Sequence, residues 1–332
     1  MPTALVAVAP ERFVLEDRAL PRPRPDQVLV RVARVGLCGT DLHILEGSHP
    51  RARFPLALGH EIVGTLDGDD SERVLVVVDP LIACGSCVAC RMGEAHVCSE
   101  LRLIGIDVDG GLAGSVAVDP HRIHRVPAGV DADLAVLAEP LAVAVHAARR
   151  AAVGQGEVVV IVGAGPIGLL LAAVARRAGA RRILVSEPTE TRRAFAATLG
   201  LELLDPGDPA GDLARRTDGR MADVALDAAA APAVAGILPH LVRSAGRIAL
   251  IGVYGRPAEV DLQAVVFREQ TILGNRVYTP PDIDRALALL ADDGESFRSL
   301  ISDIVPLTEA AAAFDRLRRG QGVKVVVTLE AA

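Results

Sequence analysis

Apolar and polar positions alternate in two early runs, ALVAV at 4–8 and VLVRVARV at 28–35, separated by the proline-rich PRPRP at 21–25. Short alternating runs with this punctuation predict a strand-rich region rather than the start of a doubly wound sheet. A further run opens at EIVG (61–64), and alternation resumes in LIGIDVDGGLAGSVAV (103–118) and HRIHRV (121–126). Residues 134–150, LAVLAEPLAVAVHAARR, then predict a helix leading out of this region.

The pattern changes after residue 156. EVVVIVGAGPIGLLLAAVARRAGA (157–180) joins a buried strand to an apolar helix through glycines 163, 165 and 168. RRILVSEPTETRR, DVALDAAA and GRIALIG supply more strands, the last two separated by the helix-like PAVAGILPHLVRS, and TILG follows. Strands alternating with helices predict a parallel, doubly wound sheet. PDIDRALALLADDG and LTEAAAAFDRLRRG read as helices and VKVVVTL as a strand returning to the first region. The expected division is residues 1–139 with 276–332 in one domain and 140–275 in the other, within an α/β fold.

The 332 residues suit about two domains. With 51% hydrophobic residues, the chain still has no uninterrupted apolar run near the 18 or so that span a bilayer. The N-terminus lacks the basic and apolar regions of a signal peptide, so the expectation is a cytoplasmic protein. A net charge of −7 with scattered basic residues argues against nucleic acid and membrane surfaces as main partners. Aromatics are scarce, so Val, Leu, Ile and Ala must build the core.

Candidate chemistry gathers between Gly36 and Glu61, where GLCGTDLH and GHE bring Cys38, Asp41, His43, His60 and Glu61 together in sequence. Thiolate and imidazole suit zinc, and a carboxylate is an acceptable third ligand. A lone Cys or His is more often buried packing; here the grouping, and the place of Cys38 at the end of an apolar run, favour a metal site.

Cys84, Cys87, Cys90 and Cys98 form Cys-x2-Cys-x2-Cys-x7-Cys, which can converge on one tetrahedral ion. An iron–sulfur cluster is the chemical rival and a disulfide pair the other. Iron–sulfur spacing favours a final Cys-x3-Cys-Pro or a distant fourth cysteine, and cytosolic disulfides are disfavoured. The reading is a closed structural zinc lobe at 84–98. Of five cysteines, only Cys38 remains for a site with an open position.

In the second domain Gly163 permits a tight turn, Gly165 a close approach to a pyrophosphate and Gly168 close helix–strand packing. Pro166 and Ile167 open the helix whose N–H groups face the anion. Glu187 ends the next strand, 19 residues past Gly168 (187 − 168), where a carboxylate accepts from the adenosine ribose and repels a 2′-phosphate. NAD is favoured over NADP. Arg192 is a further candidate cofactor contact, although it and Arg193 also fit along the next helix.

These motifs in this order resemble the zinc-dependent medium-chain alcohol and polyol dehydrogenases over nearly the whole chain, in the branch of sorbitol, butanediol and threonine dehydrogenases. The resemblance implies a β-rich GroES-like catalytic domain beside a Rossmann NAD-binding domain. It implies two zinc ions per chain, with Cys38, His60, Glu61 and Glu139 at the catalytic one. It also implies a proton relay through Thr40 and His43, and Asp41 as the carboxylate that holds His60. Gly252 and Val253 fall where family strands reach the nicotinamide, with zinc and nicotinamide meeting in a cleft between domains. His121, His124 and His146 fall outside the ligand positions and read as surface or packing residues. Between Gly64 and Arg73 the family has a longer connection than TLDGDDSE. The expected activity is oxidation of a secondary alcohol, such as a polyol, diol, hydroxy amino acid or aminocyclitol, to a ketone. A homo-oligomer, tetramer ahead of dimer, is the family habit. The alternative is a catalytically silent zinc- and nicotinamide-binding sensor or scaffold, which NAD reduction by secondary alcohols would exclude.

Overall fold

Val158–Val162 is buried at every position, which only a strand covered on both faces can be. Each such side chain contributes about 1.5–3 kcal/mol of burial. In the computed structural model, which describes residues 3–66 and 74–329, this strand is central to a six-stranded sheet. The order across that sheet is Glu202–Leu203, Arg182–Ser186, Val158–Val162, Ala222–Asp227, Val242–Leu250 and Thr271–Gly274, with every pairing parallel. Counted along the unit, this is the order 3-2-1-4-5-6 of the doubly wound dinucleotide folds. The order reverses between the first and fourth strands, at the carboxyl ends where Gly163 and Asp227 lie.

The chain divides into one unit of Met1–Ala142 with Thr279–Ala332 and another of Val143–Tyr278. The sequence placed these boundaries three residues earlier; the helix Ala138–Arg150 runs through the first of them.

The first unit is organised on Val28–Gly36. Among the described residues its sheet runs Ile123–Arg125, Val74–Val78, Glu61–Leu66, Val28–Gly36, Lys324–Thr328 and Ile301–Pro306, and Ser115–Val118 also pairs with Val28–Gly36. Gly36 lies opposite Glu61 on one side and Val326 on the other. Lys324 precedes Val326 by two positions, so alternation returns it to the same face of the sheet.

Several elements differ from the sequence reading. The helix expected at 134–150 is Ala132–Ala135 followed by Ala138–Arg150. PAVAGILPHLVRS forms two short helices, Pro232–Ala235 and Leu238–Leu241, and its last residues join the next strand. Pro280–Arg298 runs beyond its expected end, with a break at Asp293. Ile301–Pro306 is a strand whose partial exposure and polar residues hid its period. Of the short connection after Gly64, residues 67–73 lie outside the described residues. No helix among the described residues is long and apolar enough to cross a membrane.

Candidate active site and cofactor cradle

The metal-ligand candidates of the first unit are positioned by a helix that the sequence pattern concealed. Cys38 is the extended N-cap of Gly39–Leu45, and its backbone N–H donates to Asp41 Oδ2 at 2.9 Å while its sulfur faces the Asp41 N–H. This is a capping box with cysteine in place of the usual hydroxyl. The same carboxylate turns Oδ1 toward His60 Nδ1 at 3.6 Å. That is just beyond a hydrogen bond, and neither buried atom has another partner. Asp41 thus fixes the turn that carries Cys38 and faces the ring of His60.

Neighbouring residues on a strand point to opposite faces, which would keep His60 and Glu61 apart. The structure avoids this because Glu61 begins its strand and His60 precedes it, directly after Gly59 at φ +93°. The donor atoms of Cys38, His60 and Glu61 all lie within 4.8 Å of one another. Gly36 makes room for them: a Cβ there would stand 1.9 Å from Glu61 Oε2.

Glu61 has a partner that the sequence reading missed. Lys324 Nζ donates to both its carboxylate oxygens, at 2.6 and 2.7 Å, and to the Leu37 carbonyl at 3.1 Å. Both side chains are fully enclosed. Burial opposes charge on Lys324, but the Glu61 carboxylate outweighs it and raises the pKa. Glu139, in the first turn of Ala138–Arg150, is buried outside the three-residue cluster and within electrostatic reach of Lys324.

This pocket favours positive charge. Burial works against protonation of His60, yet Asp41 and then Cys38 more than offset it and hold its pKa well above the ordinary imidazole range. Paired orphan atoms, a thiol, an imidazole and a carboxylate fit a zinc ion. Thr40 Oγ1 lies 3.7 Å from the Cys38 sulfur, and His43 is largely exposed, 3.5 Å from Glu46.

The four cysteines at 84–98 also converge. Their closest sulfurs are 3.5 Å apart for Cys87–Cys90 and 4.0 Å for Cys84–Cys90. A tetrahedron of zinc–sulfur bonds has edges of about 3.8 Å. Backbone N–H groups already point at the sulfurs, from Cys84 to Cys98, from Cys87 to Cys84 and from Cys90 to Cys87. Donors from Cys90 and Ser99 bring the Cys87 thiol down to about 5. No disulfide joins the five cysteines. The donor set fits zinc with no ligand position left for substrate.

In the second unit Gly163 turns at φ +98°, and a Cβ on Gly168 would stand 1.9 Å from the Gly163 carbonyl. Apart from its chain neighbours, no described residue comes within 4 Å of a Cβ placed on Gly165, so the backbone is open to a ligand there. Pro166–Arg177 starts immediately after, with Pro166 and Ile167 in its first turn. Glu187 is buried against this turn, with Oε2 accepting from Ala164 N–H at 2.8 Å and Oε1 from Thr189 N–H at 2.9 Å. Arg192 is exposed, whereas Arg193 is anchored on the Glu187 and Leu204 carbonyls. Gly252 packs closely on Ala230, and Val253 is 91% exposed. Nearby, Tyr254 donates to buried Asp227 at 2.7 Å. An open glycine turn at a helix N-terminus, with a carboxylate beside it, fits a dinucleotide.

Residues 24–128 match the alcohol dehydrogenase GroES-like domain family, and residues 166–292 match the zinc-binding dehydrogenase family. A 2-dehydro-3-deoxy-L-galactonate 5-dehydrogenase of Pseudoalteromonas atlantica is 37% identical, over 96% of this chain and 96% of its own. The chain belongs to the zinc-dependent medium-chain alcohol and polyol dehydrogenases. Two solved dehydrogenase structures are similar to this chain over nearly its full length. One, from Escherichia coli CFT073 in complex with NADH, has a TM-score of 0.90 at 26% identity, covering 98% of this chain and 99% of that one. The other, a putative zinc-binding dehydrogenase from Sinorhizobium meliloti bound to NADP, has a TM-score of 0.89 at 30% identity, covering 98% of both chains. The protein is therefore an enzyme of the zinc-type alcohol and polyol dehydrogenase kind, with a GroES-like and a Rossmann portion, and no observation favours the silent sensor.

His121, His124 and His146 are not part of the Cys38, His60 and Glu61 cluster. His124 Nδ1 pairs with Asp284 at 2.6 Å, and His146 is buried in its helix beside Arg149. Lys324 had one sequence signal, a lone charge in the apolar run VKVVVT.

Proposed function

We propose that this dehydrogenase oxidises a secondary alcohol of a polyhydroxylated substrate to a ketone with NAD+, using two zinc ions per chain. The observation that carries the reading is the enclosed cluster of Cys38, His60 and Glu61 backed by Asp41 and Lys324. Cys38 and His60 would hold the catalytic ion, with Glu61 and Glu139 as alternates, and Cys84, Cys87, Cys90 and Cys98 the structural one. When bound, zinc supplies a Lewis acid for the alcohol oxygen and NAD+ supplies the hydride acceptor.

The chain's residues do the rest. Asp41, facing His60 Nδ1, leaves Nε2 as the ligand atom. Thr40 Oγ1 receives the alcohol proton and passes it toward exposed His43, from which it reaches water. Lys324 balances the Glu61 charge, so the pocket does not gather three uncompensated anions. In the second unit the turn at Gly163, Gly165 and Gly168 and the N–H groups of Pro166–Arg177 after its proline receive the pyrophosphate. Glu187 accepts from the ribose hydroxyls, and Gly252 and Val253 line the nicotinamide.

The name of the Pseudoalteromonas relative, a sugar-acid dehydrogenase, supports a polyhydroxylated substrate. Cysteines that must stay reduced to hold zinc support a reducing, cytoplasmic setting. The edge strand Thr271–Gly274 and exposed Leu262, Val266 and Phe267 support a homo-oligomer. The test is NADH formation, followed by absorbance, with the zinc-loaded protein, NAD+ and a panel of polyols, diols, threonine and cyclitols. Turnover of polyols or diols is the expected result; no NADH with any of them overturns the proposal.

A further inference from the structure

The segment that follows the Cys38 helix turns back on it. Ser48 and His49 both donate their backbone N–H to the His43 carbonyl, at 3.0 and 3.1 Å, and Ser48 Oγ adds a third bond at 3.0 Å. His49 is half-buried there and within electrostatic reach of both His43 and His60. Its ring does not serve the zinc cluster, and the proposed mechanism gives it no task.

The tautomer of this ring follows from its hydrogen bonds. Nδ1 accepts from the backbone N–H groups of Ala52, at 3.2 Å, and Arg51, at 3.4 Å. A nitrogen that accepts two N–H bonds carries no proton, so the neutral ring has its hydrogen on Nε2. Burial, and then the Arg51 guanidinium, lower the pKa of His49 and keep the ring neutral. Arg51 is itself fixed on the Leu101 carbonyl and on Asp107. Nε2 has no partner among the described residues. The loop therefore holds one uncharged donor, locked in tautomer and orientation, beside the helix that carries Cys38.

A neutral donor suits this place, since a cation would be repelled by the metal and a carboxylate would compete for it. We infer that His49 is a substrate-binding residue whose Nε2–H donates to a hydroxyl oxygen neighbouring the alcohol being oxidised, so that it selects vicinal diols and polyols over simple secondary alcohols. This rests on the proposed function and adds the group that reads the substrate beyond its reacting carbon.

The test compares butane-2,3-diol with butan-2-ol, which differ by one vicinal hydroxyl, in wild type, His49→Asn and His49→Leu. The asparagine oxygen can accept the same backbone N–H groups, as in an Asx turn, while lacking the distal donor. His49→Leu lacks both. Both variants should lose about tenfold or more in kcat/KM for the diol, the scale of one lost hydrogen bond to substrate, with butan-2-ol changed by less than about threefold. His49→Asn should keep the thermal stability of wild type. An unchanged diol-to-monool ratio in His49→Asn overturns the role of His49 and leaves the proposed function standing, as does an equal loss on both alcohols. A wild type that oxidises neither these alcohols nor any other in the panel overturns the proposed function, and the role of His49 with it.

Discussion

Replacing Lys324 by Met removes the charge that neutralises Glu61 while nearly keeping the volume of a fully enclosed side chain. At the observed 2.7 Å, two unit charges attract by about 6 kcal/mol at an effective dielectric of about 20. Part of that offsets desolvation, and removing one partner of a buried pair costs about 3–5 kcal/mol. For a unit of this size that is a fall of roughly 6–20 °C in melting temperature. The loss should be largest in chelated protein, because bound zinc returns positive charge to the Glu61 carboxylate. By linkage, Lys324→Met should then gain more stability from zinc than wild type does. The assay is thermal unfolding of both proteins, chelated and zinc-loaded, with zinc content measured alongside. Equal melting temperatures in the chelated state would refute the buried ion pair. An equal drop in both states would show that Glu61 does not face the metal.

Cys98→Ser should lose one zinc and thermal stability together, because the four-cysteine lobe has no open position; metal analysis with a melting curve checks this. Glu187→Ala should narrow the preference for NAD over NADP, since like charges near 4 Å repel by about 4 kcal/mol at a dielectric of about 20, before screening; kcat/KM with both cofactors reads it, and a wild type preferring NADP would contradict it. Glu61→Gln and Glu139→Gln should each retain zinc and lose turnover, and wild-type turnover in either would return that glutamate to a structural role.

The elements whose period is strict were legible in the sequence. Val158–Val162 with its glycine turn, and the alternation of Val28–Gly36, placed both halves of the fold. The cysteines, His60 and Glu61 were legible because their residue types and spacing carry the chemistry. The helix Gly39–Leu45 was not, since cysteine is not a usual N-cap and the Cys-x-x-Asp box has no standard signature. Lys324 escaped because it pairs with a residue 263 positions away, and only the sheet register brings the two together. The tautomer of His49 was equally hidden, being set by two backbone donors of a loop without period. Buried charges and loop-held rings depend on tertiary closure, which local patterns do not encode.

If Cys38 anchors a catalytic zinc distinct from the ion of the four-cysteine lobe, removing its thiol takes away one ion and the chemistry together. Zinc per chain, measured by mass spectrometry beside NAD+ reduction in wild type and Cys38→Ser, tests it most directly. Two zinc ions and turnover are expected in wild type, corresponding to the two ligand clusters, and one zinc without turnover in the variant. Two zinc ions in Cys38→Ser, or undiminished NADH formation by it, would show that Cys38 does not hold the catalytic ion.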